Sequence, residues 1–255
     1  MKKIIALLLC LISVLGVFTL TACEGDPNCE HDWKEIVELN SKVCSKCGAF
    51  DGIEVDEEKW ELSIDESAFD NVTISFTFTH ADLTVEGLDD AMNPDQIIGN
   101  LTENQPAKQI QILKIADGKV YRKITGIDKD GKEMFTFDET FEGEDATLQR
   151  KLFTDMFIAA IEDYSKYTFD AETALYVNAG PITTSSEEHV TETMTDLKVK
   201  FDSEARLAYF ANHHVESIDY GKINSDVPVV SGTYKINIIG DIVWTYSDYG
   251  TTVID

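Results

Sequence analysis

The chain has 255 residues and a formal net charge of −26, with 47 acidic residues against 21 basic ones. A negative charge this large repels phosphate backbones, so we expect no nucleic-acid partner. The 13 Phe, 9 Tyr and 3 Trp residues supply enough apolar surface for one sizeable core, which excludes a disordered acidic chain.

The N-terminal segment has the pattern of a bacterial export signal. Lys2 and Lys3 precede an apolar run over residues 4–20, and Leu-Thr-Ala then leads to Cys23. The run is short for a membrane-spanning helix, which takes about 20 apolar residues, and its charged start is typical of a signal. An ordinary signal peptide and a membrane anchor are the alternatives, but neither explains a cysteine directly after Leu-Thr-Ala.

This segment resembles the lipobox of bacterial lipoproteins. The resemblance implies that residues 1–22 are removed as a signal peptide and that Cys23 carries a thioether-linked diacylglycerol. Two acyl chains anchor a protein stably, since each buried CH₂ contributes about 0.8 kcal/mol. We therefore expect the protein at the extracytoplasmic face of the bacterial cell membrane, with the membrane as a partner through the lipid anchor.

A small cysteine-rich module is predicted after the anchor, over residues 23–53. Cys29 and His31 are spaced as Cys-x-His, and Cys44 and Cys47 as Cys-x-x-Cys followed by glycine. Four sulfur and nitrogen ligands suit a structural zinc ion in tetrahedral geometry and leave no position for a catalytic water. Three cysteines cannot all pair in disulfides. A Cys44–Cys47 redox pair or a disulfide that uses Cys29 remains the alternative.

The spacing resembles short Cys-x-His-x-Trp and Cys-x-x-Cys-Gly modules in lipoproteins of anaerobic Firmicutes, over roughly residues 29–52. Trp33 matches the tryptophan of that pattern and is expected to be the apolar plug of a segment too small for its own core. The insert over residues 34–42 is longer and more helical in character than the commoner threonine- and proline-rich version.

Residues 54–255 are predicted to form one mainly β domain. Residues 72–78 alternate apolar and polar side chains, which is the period of a strand with one buried face. Asp117-Gly118 and Asp130-Gly131 separate apolar runs, and this predicts hairpin turns and an antiparallel meander. An apolar stripe between residues 145 and 166 predicts one helix.

Further strands are predicted after the helix, at residues 174–177, 188–195, 197–201 and 206–210. The last two of these are expected to pair across residues 202–204. Residues 234–239 and 242–246 are expected to form a final pair or one long edge strand, and residues 251–254 a closing strand.

The order of these elements resembles the LolA/LppX type of lipoprotein domain. Trp60 with residues 69–73, the region 112–121 and the ending 245–254 carry the resemblance. It implies an α+β fold in which a strongly curved antiparallel sheet, a half-barrel, packs on one or two helices and leaves an apolar cavity. The side chains expected to line that cavity are Phe76, Phe78, Ile112, Phe137, Leu152, Phe153, Met156, Phe157 and Ile161.

The sequence lacks the motifs of nucleophilic, zinc-dependent and phosphate-binding enzymes. His213 and His214 are consecutive, and on a strand they would point to opposite faces and could not chelate one metal ion. We therefore expect a non-enzymatic surface lipoprotein that binds an apolar or amphiphilic ligand in a β-sheet cavity. A structural or protein-interaction module of the cell envelope, with a filled core, is the alternative. The sequence does not indicate the oligomeric state.

Overall fold

The computed structural model describes residues 32–36, 41–46, 51–87, 99, 105–187, 189–219 and 234–254. The chain divides into two compact units, residues 1–51 and residues 52–255. In the described part of the chain, no helix is long and apolar enough to cross a membrane.

The first unit contains a two-stranded antiparallel hairpin of β1 (Trp33–Ile36) and β2 (Ser41–Cys44). Trp33 lies opposite Cys44 in the register. The hairpin is extended past its strands, because the backbone N–H of Ser45 donates to the carbonyl of Asp32 at 2.8 Å. The helical character expected for residues 34–42 is wrong for the described residues there, because cross-strand pairing makes them extended.

The second unit is mainly β, and its antiparallel sheet is confirmed. The described strands are β3 (Val72–Glu86), β4 (Lys108–Ala116), β5 (Lys119–Ile127), β6 (Glu133–Glu142), β7 (Thr168–Asp170), β8 (Leu175–Asn178), β9 (Ile182–Glu187), β10 (Val190–Phe201), β11 (Leu207–Asp219) and β12 (Lys235–Ser247). Their order across the sheet is β6-β5-β4-β3-β12-β11-β10-β8-β7, with β9 also beside β10.

Two α-helices accompany the sheet in the described residues. In α1 (Glu57–Ile64) the carboxylate of Asp56 caps the first turn by accepting from the backbone N–H of Lys59 at 2.9 Å. The predicted helix is confirmed as α2 (Gly143–Ile161), which follows β6 directly. Gly143 has φ +60°, a conformation that glycine adopts without strain, and it turns the chain from strand into helix.

The core lies between these helices and one face of the sheet, here called the inner face. Val72, Ile74 and Phe76 are buried at alternate positions of β3, and Trp244 and Tyr246 are buried opposite them on β12. Period-two burial places all five side chains on the same face. The Phe76 and Trp244 rings lie 4.6 Å apart between centroids, so the two central strands share one aromatic layer.

The predicted hairpin turns are also confirmed. Asp117 (φ +51°) and Gly118 (φ +72°) join β4 to β5, and both positive φ values fit the tight turn that Asp-Gly favours. At the next turn the carboxylate of Asp128 accepts from the backbone N–H of Asp130 at 2.9 Å and of Lys132 at 2.8 Å.

The predicted end of the chain is wrong in two respects. Residues 235–247 form one central strand, β12, between β3 and β11, and they form neither a hairpin nor an edge. Residues 251–254 are not a strand. Instead, the backbone N–H of Thr252 donates to the side-chain oxygen of Asn71 at 2.8 Å, which ties the C-terminal segment to the start of β3.

The predicted strands 188–195 and 197–201 are parts of one strand, β10. The register with β11 shifts between Thr195 and Lys198, and Asp196 has φ +53°. A bulge of this kind bends a strand without ending it. The predicted pairing of 197–201 with 206–210 is confirmed by the register of Val199 with Phe210.

Candidate functional site

The predicted anchor and most of the predicted zinc ligands, Cys23, Cys29, His31 and Cys47, lie outside the described residues. Cys44 is described and is buried at the end of β2. The backbone N–H of Lys46 donates to its sulfur at 3.4 Å. A backbone amide directed at the sulfur from two residues further along is the arrangement expected in a Cys-x-x-Cys turn around a metal ion.

The hairpin also fixes the residue that follows His31. The Ser45 hydroxyl donates to the Asp32 carboxylate at 2.6 Å, in addition to the backbone bond between these residues. Consequently the chain directly after His31 lies beside the chain directly after Cys44. Among the described residues no group of three or more His, Cys, Asp or Glu side chains is placed to hold a metal ion.

Four of the residues predicted to line a cavity lie in the interface between α2 and the sheet. They are buried members of the main core, with exposures of 6 % or less: Phe76, Phe153, Phe157 and Ile161. The Phe157 ring lies 5.4 Å from Trp244 and 5.3 Å from both Tyr246 and Phe69. Rings at these separations are in contact, so Phe157 is part of a packed aromatic layer. The predicted inward position of Phe153, Phe157 and Ile161 agrees with their burial, and the cavity beside them stays a prediction.

The other edge of the α2 stripe points away from the core. Leu152 is 51 % exposed and Met156 is 49 % exposed, so their predicted inward position is wrong. Leu148, one turn earlier, is also exposed, and the three residues form a row at a spacing of four. The stripe contains more apolar residues than the helix can bury against a single sheet face.

The remaining predicted lining residues lie on three different strands. Phe137 is 64 % exposed on the edge strand β6, where no further described strand covers it. Ile112 pairs with Ser75, on the opposite face from the buried Leu113, so its predicted position on the inner face is wrong. Phe78 and Phe137 both lie on the inner face, because Phe78 is two positions beyond Phe76 and Phe137 aligns with Phe76 through β4 and β5. Phe78 is partly buried and packs against the main core.

The inner face continues past Phe76 and Trp244 along four adjacent strands. We call this region the far patch. Its members are Phe78, His80, Leu83, Glu192, Asn212, His214, Glu216, Ile236, Ile238 and Gly240. The polar members on β11 occupy alternate positions after the buried Phe210, so they share its face. The sequence prediction missed them. The alternate positions Phe210, Asn212, His214 and Glu216 could have indicated that one face of this strand changes from apolar to polar.

The far patch buries polar atoms that have no hydrogen-bond partner in the described structure. Asn212 is 5 % exposed and His214 is 8 % exposed, and the unpartnered atoms are Oδ1 and Nδ1, respectively. Nδ1 of His80 is also buried and has no hydrogen-bond partner in the described structure. A buried polar atom without a partner costs about 1–3 kcal/mol, so such atoms are usually satisfied or functional.

A glycine separates the two histidines. His214 lies opposite Gly240 on β12, and Gly240 lies opposite His80 on β3. A Cβ on Gly240 would lie 2.5 Å from a ring carbon of Phe78 and closer still to the Thr79 carbonyl oxygen. Glycine at this position therefore lets the Phe78 ring lie over the strand between the two imidazoles.

Burial shifts the pKa values of Glu192, His214 and Glu216 in the far patch toward their neutral forms. Burial raises the pKa of Glu192 and of Glu216, and the carboxylate of Glu192 raises the pKa of Glu216 further. Burial lowers the pKa of His214 to about 4, with a smaller contribution from the charge on His213. His214 is therefore neutral at pH 7, and its ring can both donate and accept a hydrogen bond.

The two consecutive histidines point to opposite faces, as predicted. His214 is buried on the inner face, whereas His213 is partly exposed and its Nδ1 lies 2.9 Å from the carboxylate of Asp241. They therefore cannot chelate one metal ion together.

A separate cleft of about 390 Å³ lies at the other end of the sheet. It is lined by the start of β3, the β4–β5 turn and the first turns of α2, and none of the predicted cavity residues contributes to it. Its two cations are already paired, Arg150 with Asp70 and Lys119 with Glu142. These pairs compensate the charge of both cations, although Nε of Arg150 is buried without a hydrogen-bond partner in the described structure.

No family model matches the chain, and neither the curated proteins nor the solved structures provide a match.

We expect His214→Gln to remove a pH-dependent part of the stability. Because the pKa of His214 is about 4 in the folded protein against an ordinary 6.5, the unfolded chain binds more protons between these values. The free energy of unfolding therefore falls as the pH drops through this window, by up to about 3 kcal/mol. Urea unfolding at pH 7 and pH 4 should show a correspondingly smaller loss in the variant.

His213→Gln is the matched control, since the neighbouring ring is partly exposed on the other face. It should retain most of the wild-type dependence on pH. Equal pH dependence in wild type and His214→Gln would contradict the assignment of this loss to His214.

Proposed function

We propose that the protein is a non-enzymatic lipoprotein, anchored through Cys23 on the extracytoplasmic face of the membrane, that binds an apolar or amphiphilic ligand on the far patch. The observation that carries this proposal is the adjacency of buried apolar side chains and unpartnered buried polar atoms on one sheet face. A sealed core leaves few polar atoms without partners, whereas a binding surface keeps them for a ligand.

The apolar half of such a ligand would lie against Phe78, Leu83, Ile236 and Ile238. Leu83 and Ile236 are buried, yet neither belongs to the described core clusters that include α2 and the central strands. This moves the proposed site away from the helix, where aromatic rings fill the interface, to the part of the inner face beyond it.

Curvature of the sheet would make this face concave. Neighbouring strands rotate by about 20–25° relative to each other, so the rotation accumulates across ten described strands. Bulges in β10 and between β12 and β3 increase bending locally. These features support the half-barrel that the LolA/LppX resemblance implies.

A specific observation favours the alternative, an interaction module of the cell envelope. Leu148, Leu152 and Met156 expose an apolar row on α2, and Phe137 is exposed on β6. Apolar side chains grouped on a surface are typical of protein contacts. A partner would then bind this outer row and would leave the far patch unoccupied.

The proposed function is tested by native mass spectrometry and solvent extraction of the protein isolated from its own host. We expect one bound amphiphile per chain. Ile238→Gln, on the inner face, should reduce its occupancy, whereas Ile239→Gln, the next residue on the opposite face, should not. Ligand-free protein that copurifies with a protein partner would favour the interaction module. The same intact mass shows whether Cys23 carries a diacylglycerol and residues 1–22 are missing.

We also propose that Cys29, His31, Cys44 and Cys47 hold a structural zinc ion. The amide directed at the Cys44 sulfur and the pairing of Asp32 with Ser45 support this proposal. Elemental analysis under reducing conditions should find one zinc per chain, and Cys44→Ser should reduce the content to background.

Lys46→Ala is the control for the zinc measurement, because it keeps the backbone amide that donates to Cys44. It should retain the metal. If the reduced wild-type protein contains no zinc, the module instead contains a redox pair or a disulfide.

A further inference from the structure

Two like-charged residues face each other on neighbouring strands of the far patch. Glu192 on β10 lies directly opposite Glu216 on β11, and both side chains are half-buried on the inner face. Like charges at directly opposed positions destabilise a sheet. In the described parts of β3, β10, β11 and β12, no lysine or arginine occupies an inner-face position.

The buried atoms beside this pair add hydrogen-bond acceptors. Oδ1 of Asn212 accepts only, and Nδ1 of the neutral His214 accepts in one of its two tautomers. Both residues alternate with Glu216 along β11, and both are more than nine-tenths buried. The far patch therefore combines two carboxyl groups with unpartnered acceptors, next to the apolar side chains of Phe78 and Ile238.

We propose that the far patch recognises the ammonium head group of a cationic amphiphile, with Glu192 and Glu216 as the charged partners and Asn212 and His214 as further acceptors. This inference rests on the proposed function and specifies its ligand class. A primary ammonium supplies one positive charge and three N–H donors, which match the carboxylates and the acceptors. A carboxylate or phosphate head group would instead be repelled by the two glutamates.

A metal ion fits the far patch less well. The described residues contain no group of three His, Cys, Asp or Glu side chains placed to coordinate one. A quaternary ammonium would satisfy the charge but has no N–H group for the acceptors. The primary ammonium meets both requirements, and its alkyl chain accounts for the apolar neighbours.

The test compares three probes with the same chain, n-octylammonium, n-octanol and octanoate. Each is titrated calorimetrically into the full-length protein in phosphatidylcholine nanodiscs, with empty nanodiscs as the blank. We expect n-octylammonium to bind at least about tenfold more tightly than n-octanol, and octanoate to bind most weakly. Glu192→Gln and Glu216→Gln should each weaken n-octylammonium by about tenfold and leave n-octanol unchanged.

Glu61→Gln on the exposed face of α1 is the charge-matched control and should bind like wild type. Glu192→Gln and Glu216→Gln change different strands, so one of them can fold normally even if the other does not. Either variant that retains the wild-type circular dichroism spectrum is sufficient for the test. Equal affinity for n-octylammonium and n-octanol, insensitive to both variants, would overturn the ammonium inference while leaving amphiphile binding intact. Failure of all three probes to bind would overturn the proposed function as well.

Discussion

Trp60→Ala is expected to lower the free energy of unfolding by about 3–5 kcal/mol. Trp60 is fully buried, and its ring centroid lies 5.0–5.1 Å from those of Tyr167, Tyr176 and Phe201. Its indole N–H also donates to the carbonyl of Ile161 at 2.8 Å. Alanine would leave a cavity and remove the donor to a buried carbonyl, and both effects destabilise the fold. Urea unfolding at pH 7 measures the loss.

Leu62→Ala is the control on the same helix. Leu62 lies two positions further along and is 65 % exposed, so its truncation should cost less than about 1 kcal/mol. A small loss for Trp60→Ala, or equal losses for both variants, would contradict the central position of this tryptophan between α1, the last turn of α2 and the sheet.

Phe157→Ala is expected to have a comparable effect, about 3–5 kcal/mol, from the opposite side of the core. Phe157 is fully buried, and its ring contacts those of Phe69, Trp244 and Tyr246. It is therefore the side chain through which α2 joins the aromatic layer of the central strands. The same unfolding experiment should show both a lower midpoint and an unchanged dependence on urea concentration.

Met156→Ala is the adjacent control and distinguishes the observed packing from the sequence prediction. The sequence assigned Met156 and Phe157 to the same inward stripe, but Met156 is 49 % exposed. We expect its truncation to cost less than about 1 kcal/mol. A loss as large as that of Phe157→Ala would mean that Met156 is buried in solution. It would then support the sequence prediction that both residues face the core.

Local turn chemistry made much of the sheet predictable. Asp117-Gly118 lies between two apolar runs, and only residues that tolerate positive φ fit the tight turn that the structure contains. The helix was equally predictable, because apolar residues recur at the helical period from residue 148 onward. In both cases the signal lies within a few consecutive residues and does not depend on distant parts of the chain.

Gly240 shows why β12 was not predicted. Gly240-Asp241 between two apolar runs has the pattern of a hairpin turn, but here the glycine lies inside a central strand. The reason is that the Phe78 ring occupies the space of its missing side chain, from a strand about 160 residues earlier in the sequence. A contact between such distant residues is invisible to any pattern within β12.

The candidate site depended on register in the same way. Ile112 and Leu113 are both apolar, and only pairing with β3 decides that Leu113 faces the core. Likewise, the cross-strand pair of Glu192 and Glu216 exists only because β10 and β11 align these two positions. Alternation within one strand shows that two faces differ, but the neighbouring strand decides which residues meet.

The most direct test of ligand binding on the far patch is photo-crosslinking with a neutral long-chain alcohol that carries a diazirine, followed by peptide mapping. A neutral probe tests the position of the ligand independently of its head group. We expect the labelled residues to lie on the inner face of β3, β11 and β12, around Phe78, His214 and Ile238. Labels confined to the exposed row Leu148, Leu152 and Met156 on α2 would contradict binding at the far patch and would favour the interaction module.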